Sequence, residues 1–322
     1  MTDSPMTLDV VVPTYNRSEL LRKTILSLLT ATVPEGLEVS IVVVDNRSSD
    51  RTAEVVKELQ SGAGLPLIYV LEHAQGSSAA RNAGIAASKG QLIGFVDDDE
   101  EVDENWYRTI AKEFADPSVD YIGGPCLLNR QVNFPVWLPP GYHSVIGDIP
   151  AKPRGPYGTG HPGMLNGGNA VLRRSVFERV GVFSTRLGRS AKNLLSEEDA
   201  DLFRRLQAAN IRGMYIPELI IHHHVHEERL TRNYHRRWAY WRAVSQGVLD
   251  RDVHEPVPYF LGVPRYKIGR ALRGILALPL HRLAGGDRGK AFADELASWD
   301  LMGFVYGKYL FDEPNHYTNR HR

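Results

Sequence analysis

"LIGFVDDDEEV" (92–102) is an apolar run that ends on three aspartates. Phe95 and Val96 read as the end of a buried strand, and Asp97, Asp98 and Asp99 follow at once, with Glu100, Glu101 and Asp103 behind them. Adjacent carboxylates repel, and burial sharpens the repulsion. A fold keeps such a cluster where a cation compensates it, or where the acids cap a following helix. Asp97 and Asp99, one residue apart at a strand exit, can address one hard cation. Mg2+ fills its shell from a few carboxylates, water and substrate phosphates. The alternative is a turn rich in capping acids before a helix at Asn105, with Asp103 as the cap.

The runs that precede this stretch have the same form. "LDVVVP" (8–13), "VSIVVVD" (39–45), "LIYVL" (67–71) and "QLIGFVD" (91–97) read as buried strands. Leu20, Leu21, Thr24, Ile25, Leu28 and Leu29 recur at helical spacing after the first, with Ser18 as N-cap. Val55, Val56 and Leu59 share a face after the second, and "GSSAARNAGIAAS" (76–88) is a small-residue helix after the third. Trp106, Ile110 and Phe114 give a further helical stripe. This alternation predicts an α/β fold, a mostly parallel sheet with helices on both faces. Ligands of such sheets bind beyond the carboxyl ends of the strands. Those ends carry "PTYNR" (13–17), "DNRSSD" (45–50) and "DDDEE" (97–101), which together make one polar rim.

Bulk properties narrow the function classes. The 322 residues are 43% hydrophobic and 24% charged, ordinary for a globular protein. Basic and acidic residues balance at 38 each, which gives no reason to expect nucleic acid. The lone cysteine, Cys126, excludes an internal disulfide framework and fits a reducing compartment. "MTDSPMTLDVVV" has neither a basic leader nor a long apolar stretch, and no run approaches the ~18 apolar residues of a spanning helix. The expected location is cytoplasmic, with peripheral contact to the inner face of the cell membrane left open.

Residues 125–163 change character: eight prolines and several glycines interrupt regular structure. Trp137, Tyr142 and Tyr157 argue against plain disorder, so the segment reads as a lid or acceptor-facing loop. Regular patterns return in "GGNAVLRRSVFERVG" (167–181), "SEEDADLFRRLQAAN" (196–210) and "GMYIPELIIHHHVH" (213–226). From Thr231 the pattern is helical, with Tyr234, Trp238, Trp241 and Val244 on a common face. The expected domains are one over 1–226, with halves at 8–125 and 126–226, then a helical region over 227–322.

Two further clusters carry chemistry. In "SEEDADLFRRL" (196–206), Ser196 is a natural N-cap, Ser196 with Asp199 resembles a capping box, and Glu197, Glu198 and Asp199 fill the first turn. Three acids exceed what a cap needs, and a carboxylate fixed at a helix start can serve as a general base, its pKa lowered by the helix dipole. In "IIHHHVH" (220–226), a strand turns His222, His224 and His226 one way and His223 the other. One histidine completing a metal site begun by the aspartates is the better reading than a site built from the histidines alone. Arg81 and Asn82 can reach a phosphate or base, but the stretch around them matches neither phosphate-binding glycine motif.

"VVPTYNRSELLRKTILSLL", "VVVDNRSSDRT", "GSSAARNAGIAASKGQLIGFVDDDEEVDENW", "GGNAVLRRSVFERVG" and "SEEDADLFRRL", in that order, resemble a family 2 glycosyltransferase with the GT-A fold, over about residues 8–226. The resemblance implies that Pro13, Thr14, Tyr15, Asn16, Asp45 and Asn46 hold the base and ribose, with Arg81 and Asp98 nearby. Asp97 and Asp99 would form the D-x-D motif for Mg2+ or Mn2+. Asp199, beside Glu198, matches the catalytic base of inverting members. A histidine joining the metal would be His223, with His222 and His224 as competitors. Gly168, Asn169 and Trp106 would lie by the donor or acceptor sugar. The implied reaction moves a sugar, with inversion, from a nucleotide-diphosphate donor to a hydroxyl of a saccharide or lipid-linked acceptor, in bacterial polysaccharide, glycolipid or glycoconjugate assembly. A UDP-sugar is the implied donor, although "DNRSSD" puts Asn46 where the family often has an aspartate.

"GVPRYKIGRALRGILALPLHRLAGG" (262–286) has five Arg or Lys residues and no acid. Leu272, Ile275 and Leu276 beside Arg270 and Arg273 suit either an anionic membrane surface or a packed helix with a solvated basic face, and Gly274 and Pro279 weaken a long helix. Two other readings of the whole chain stand as alternatives. One is a nucleotide-binding module without transferase activity. The other is a sugar-nucleotide nucleotidyltransferase, which would need a glycine- and basic-rich loop after the first strand, where "PTYNRSEL" offers only Arg17.

Overall fold

The computed structural model describes residues 5–158, 163–191, 193–283 and 287–312, with the backbone alone over 278–283. Two compact units divide the chain. The first takes Met1–Asn129, Asp148–Thr185 and Glu198–His224; the second takes Arg130–Gly147, Arg186–Glu197 and Val225–Arg322.

The first unit begins with strand β1 (Met6–Thr14), helix α1 (Ser18–Thr30), β2 (Leu37–Asp45), α2 (Thr52–Gln60), β3 (Leu67–Leu71), α3 (Ser77–Ala87) and β4 (Leu92–Phe95). It continues with β5 (Glu100–Val102), α4 (Trp106–Phe114), β6 (Tyr121–Gly123) and β7 (Cys126–Leu128). Strands β8 (Gly155–Pro156) and β9 (Ala170–Arg173), α5 (Arg174–Val180), α6 (Glu198–Ala208), β10 (Gly213–Tyr215) and β11 (Ile221–His223) complete it. The main sheet runs β3-β2-β1-β4-β9-β6-β10-β8. β1 to β4 are mutually parallel, and β9 enters antiparallel to both β4 and β6.

Alternation along β1 shows why the sheet needs helices on both faces. Val10 and Val12 belong to one core cluster and Val11 to another, and all three are fully buried. The small residues of α3 have a cause here: a Cβ on Gly84 would lie 2.2 Å from Val11 Cγ1, so only glycine lets this helix lie so close to β1. The parallel register carries Thr14 level with Asp45, so β1 and β2 deliver their polar ends to the same edge. Beyond β4 the chain enters a second sheet, β5-β11-β7, in which His223 pairs with Glu100 and His222 with Glu101.

The proline-rich segment is divided between the units. Tyr157 joins the core of the first, stacked on Tyr121 at 5.5 Å between ring centroids. Trp137 and Tyr142 belong to the second, edge-on to His235 at 5.6 and 6.4 Å. Residues 159–162 of the expected loop lie outside the described residues.

The second unit is built on α7 (Arg232–Leu249), α8 (Arg265–Leu283) and α9 (Arg288–Tyr309). The stripe expected from Tyr234, Trp238, Trp241 and Val244 is realised differently. Trp238 and Trp241 are half-buried, and Ala239, Ala243 and Gly247 complete the buried face. α7 and α9 approach to backbone contact: a Cβ on Gly303 would lie 2.1 Å from the Tyr240 carbonyl oxygen. α8 runs unbroken through Gly274 and Pro279, where sequence reasoning expects a weak point. Leu272, Ile275 and Leu276 of α8 are exposed. Residues 284–286 of the basic segment lie outside the described residues. Among the described residues no helix is long and apolar enough to cross a membrane.

Gly303→Val forces α7 and α9 apart, because the new side chain meets a carbonyl that cannot turn aside. Urea denaturation of the variant is expected to show a loss of about 1–3 kcal/mol, the usual cost of overpacking. Unchanged stability would show that the two helices do not depend on this contact.

Candidate active site

The acidic turn after β4 is held by its own backbone and by two arginines. The Glu100 N–H donates to the Asp97 carbonyl at 3.1 Å, and the Asp97 N–H donates back to Glu100 Oε2 at 3.0 Å. Arg17, just before α1, donates from Nη1 to Asp98 Oδ1 and to Asp99 Oδ2, both at 2.9 Å. Arg81, on α3, donates from Nη2 to Asp97 Oδ1 at 2.8 Å and from Nη1 to Glu198 Oε1 at 3.1 Å. Burial alone would lower the Arg81 pKa, but Asp97, Asp199 and Glu198 hold it above its ordinary value. Asp98 is pushed up to about 6 by burial, against the pull of Arg17. Its carboxylate also accepts the Thr14 hydroxyl at 2.8 Å and the Tyr15 N–H at 3.4 Å, which ties the exit of β1 to the exit of β4.

The acids at the start of α6 fall into two groups. The helix begins at Glu198, and Ser196 does not cap it: its N–H donates to Ser245 Oγ at 3.0 Å and its hydroxyl makes no hydrogen bond among the described residues. Glu197, at φ 72°, turns away, and in the second unit its carboxylate accepts from Arg242 at 2.8 Å and Gln246 at 3.2 Å. Glu198 is buried and also accepts the Ser77 hydroxyl at 3.1 Å. Asp199 accepts the Gly167 N–H at 3.2 Å through Oδ2, while its buried Oδ1 has no hydrogen-bond partner among the described residues and stands 4.0 Å from Arg81 Nη1. The expectation of a lowered pKa is reversed. Burial pushes Asp199 up to about 7, Glu198 and Asp97 add to the rise, and Arg81 with the Gly167 amide opposes it. Desolvation dominates, leaving a carboxyl able to accept a proton near neutrality.

The rim residues are knit together. Asn16, in the left-handed region at φ 54°, accepts the Ser49 N–H through Oδ1 at 2.7 Å and donates its own N–H to Ser48 Oγ at 2.9 Å. Asp45 accepts the Ser48 N–H at 2.7 Å and the Tyr69 hydroxyl at 2.7 Å. Pro13 and Thr14 end β1, and the Tyr15 ring is exposed beside them. Asn46 is buried, and its amide serves the loop ahead of α3: Nδ2 donates to the carbonyls of Glu72 and Ala74, and Oδ1 accepts the Gly76 N–H at 2.7 Å.

Of the three candidate histidines, the structure brings His223 to the acids. Its Nε2 lies 3.5 Å from Asp99 Oδ2, with each side chain 5% exposed. His224 instead meets the Glu101 carboxylate and the Asn129 amide. His222 sits opposite Glu101 on β11, half-buried. No group of three or more His, Cys, Asp or Glu side chains gathers into a complete metal cage among the described residues. Mg2+ and Mn2+ seldom need one, since phosphate and water supply the remaining ligands. Asp99 Oδ2 and His223 Nε2, 3.5 Å apart, are a carboxylate and an imidazole of the kind that could take part in holding such a cation.

The glycine pair and its neighbours have structural reasons. A Cβ on Gly167 would lie 2.1 Å from Asp199 Oδ1, and one on Gly168 would lie 2.4 Å from Glu100 Oε2. Trp106 and Asn169, expected beside a sugar, are 0% exposed. Trp106 Nε1 donates to Asn169 Oδ1 at 3.1 Å, and Asn169 Nδ2 donates to the carbonyls of Pro125 and Leu219 at 3.0 and 2.6 Å. These side chains are closed to a sugar; they lock the sheet behind the site. Sequence reasoning passed over Arg17, Ser77, Tyr69 and Glu100. The arginine next to "PTYN" and the first acid after the triplet were the available signals.

The mostly parallel sheet with helices on both faces has the GT-A fold of glycosyltransferases, and comparison with known proteins agrees. Residues 9–181 match the model of glycosyl transferase family 2, and the chain belongs to that family: it is a glycosyltransferase. The succinoglycan biosynthesis protein ExoM of Rhizobium meliloti is 29% identical over 233 residues, covering 72% of this chain and 71% of that one. The glucosyl-dolichyl phosphate glucuronosyltransferase of Haloferax volcanii is 25% identical over 252 residues, covering 76% and 78%. Among solved structures, a mannosyltransferase of Pyrobaculum calidifontis, in complex with GDP-Man and Mn2+, superposes with a TM-score of 0.59 at 19% identity, covering 96% of this chain and 88% of that one. The family thus includes relatives in polysaccharide and lipid-linked sugar assembly.

Asn169→Ala removes the side-chain donor to the buried Leu219 carbonyl, one of two donors to the Pro125 carbonyl, and the acceptor of the Trp106 indole N–H. The variant is expected to lose roughly 1–3 kcal/mol in chemical denaturation, while donor KM in the folded fraction stays within about twofold of wild type. A large rise in KM with unchanged stability would return Asn169 to the sugar site.

Proposed function

We propose that this chain transfers a sugar with inversion from a nucleotide-diphosphate donor to a hydroxyl of a saccharide or lipid-linked acceptor, with Asp199 as general base. The observation that carries the reading is a buried carboxylate oxygen on Asp199, without a hydrogen-bond partner among the described residues, in the same unit as the Asp97–Asp99 turn. Asp199 takes the proton of the acceptor hydroxyl as its oxygen attacks the anomeric carbon, and the diphosphate leaves from the opposite side. Gly167 holds the other Asp199 oxygen through its N–H, and the Arg81–Glu198 pair fixes the start of α6 beside it. Asp97, Asp99 and His223 would hold Mg2+ or Mn2+. When bound, such a cation offsets the charge that develops on the departing diphosphate.

On this reading the base and ribose rest on Pro13, Thr14, Tyr15 and Asn16, with Asp45 beneath. Asp98 and Asn46 act through the backbone they hold, not by contact. The uridine assignment rests on the family resemblance, and the mannosyltransferase bound to GDP-Man makes guanosine the first competitor. A lipid-linked acceptor would place the enzyme at a membrane, and the exposed Leu272, Ile275 and Leu276 with Arg270 and Arg273 on α8 suit an anionic surface. Co-sedimentation with anionic vesicles at low salt checks this contact; recovery of all the protein in the supernatant would remove it.

Asp199→Asn is expected to lower kcat by about a hundred- to ten-thousandfold while the thermal shift given by UDP with Mn2+ persists. Because Asp199 must be ionised to act, kcat/KM of the wild type should fall as pH drops below about 7. Near-normal transfer by the variant would remove Asp199 as the base. A product anomer matching the donor would rule out single displacement. A melting point indifferent to UDP, GDP, CDP and dTDP, with and without Mn2+, would favour a site that has lost its donor.

A further inference from the structure

The two arginines at the acidic turn are not equivalent. Arg81 is 5% exposed and holds Asp97 and Glu198 with two different nitrogens, so it is fixed from several sides. Arg17 is 33% exposed and reaches Asp98 and Asp99 through one nitrogen, Nη1, from a loop at the very start of α1. Its side chain is therefore partly open to solvent, which that of Arg81 is not. The Asp99 oxygen it touches, Oδ2, is also the one that faces His223 Nε2. A divalent cation held by Asp99 and His223 would sit against a guanidinium, and two positive groups on one carboxylate oxygen repel.

We propose that Arg17 is the resident counter-cation of the Asp98–Asp99 pair, and that a divalent cation binds Asp99 by displacing it. This inference rests on the metal-site reading above and extends it to a residue outside the ligand set. Without the cation, Arg17 keeps two buried neighbouring carboxylates from repelling each other. The site therefore stays folded while empty, and its affinity for metal alone is reduced by the contact that must break. A nucleoside diphosphate brings negative charge to the same rim and gives the freed guanidinium a new partner. Metal and nucleotide should then bind with positive coupling, and Arg17 is the positioning residue through which part of that coupling runs.

The test is Mn2+ binding to the full chain without nucleotide, read by calorimetry or by the loss of the free-ion electron paramagnetic resonance signal. Wild type is compared with Arg17→Gln, Arg17→Lys and Asp99→Asn. Arg17→Gln is expected to bind Mn2+ roughly fivefold tighter or more, with Arg17→Lys between it and wild type. Arg17→Gln should also melt at a lower temperature than wild type without metal and recover on adding Mn2+. The enhancement of Mn2+ binding by UDP should shrink in the same variant. Mn2+ affinity in Arg17→Gln equal to or weaker than wild type overturns the proposal; if that variant does not fold, Arg17→Lys decides by the same criterion. Asp99→Asn separates the two readings. Unchanged Mn2+ binding in that variant overturns the metal site itself, whereas lost binding there with no gain in the Arg17 variants overturns only the counter-cation.

Discussion

The neutralisation of four neighbouring buried or half-buried acids by two arginines is the interaction on which the site depends. Asp97, Asp98, Asp99 and Glu198 come from two distant parts of the sequence, and Arg17 and Arg81 from two others. None of these charges could be gathered at the sheet edge without the others, because a buried carboxylate left unpaired would take up a proton or unfold the turn. The same pairs connect the exits of β1 and β4 to the starts of α1, α3 and α6. Electrostatic compensation is in this sense the scaffold of the site as well as its chemistry.

The main sheet makes that gathering possible. Parallel strands deliver their carboxyl ends to one side, and fully buried valines on β1 fix the register that puts Thr14 level with Asp45. Glycine is used where backbone must come within contact of a carboxylate, at Gly167 against Asp199 and Gly168 against Glu100. The "GGN" stretch thus joins two requirements: room for the acids in its glycines and a locked turn in its asparagine.

Much of this was legible in the sequence, because strands buried on both faces write themselves as continuous valine and isoleucine runs. The strand over Leu67–Leu71 falls where its pattern places it, although at the sheet edge it leaves Ile68 and Leu71 exposed instead of buried, and the acids fall at the strand exits. What depends on three-dimensional environment was not legible. The pull of the helix dipole on Asp199 is readable from its position in a first turn, but the push of burial is not. Trp106 and Asn169 have the chemistry of sugar contacts, yet their polar atoms are consumed by one another and by two carbonyls. Ser196 has a capping sequence, but its chain direction belongs to a different packing unit from the helix it precedes. Arg17 was visible only as a basic residue in a loop, since its value lies in carboxylates some eighty positions away.

The proposed role of the acidic turn is to hold a divalent cation against a diphosphate. Anomalous diffraction from crystals grown with Mn2+ and a nucleoside diphosphate tests it most directly. One strong manganese peak is expected within bonding distance of Asp99, next to His223 and a phosphate oxygen. A bound nucleotide with no peak there, and Arg17 still on both aspartates, would contradict it.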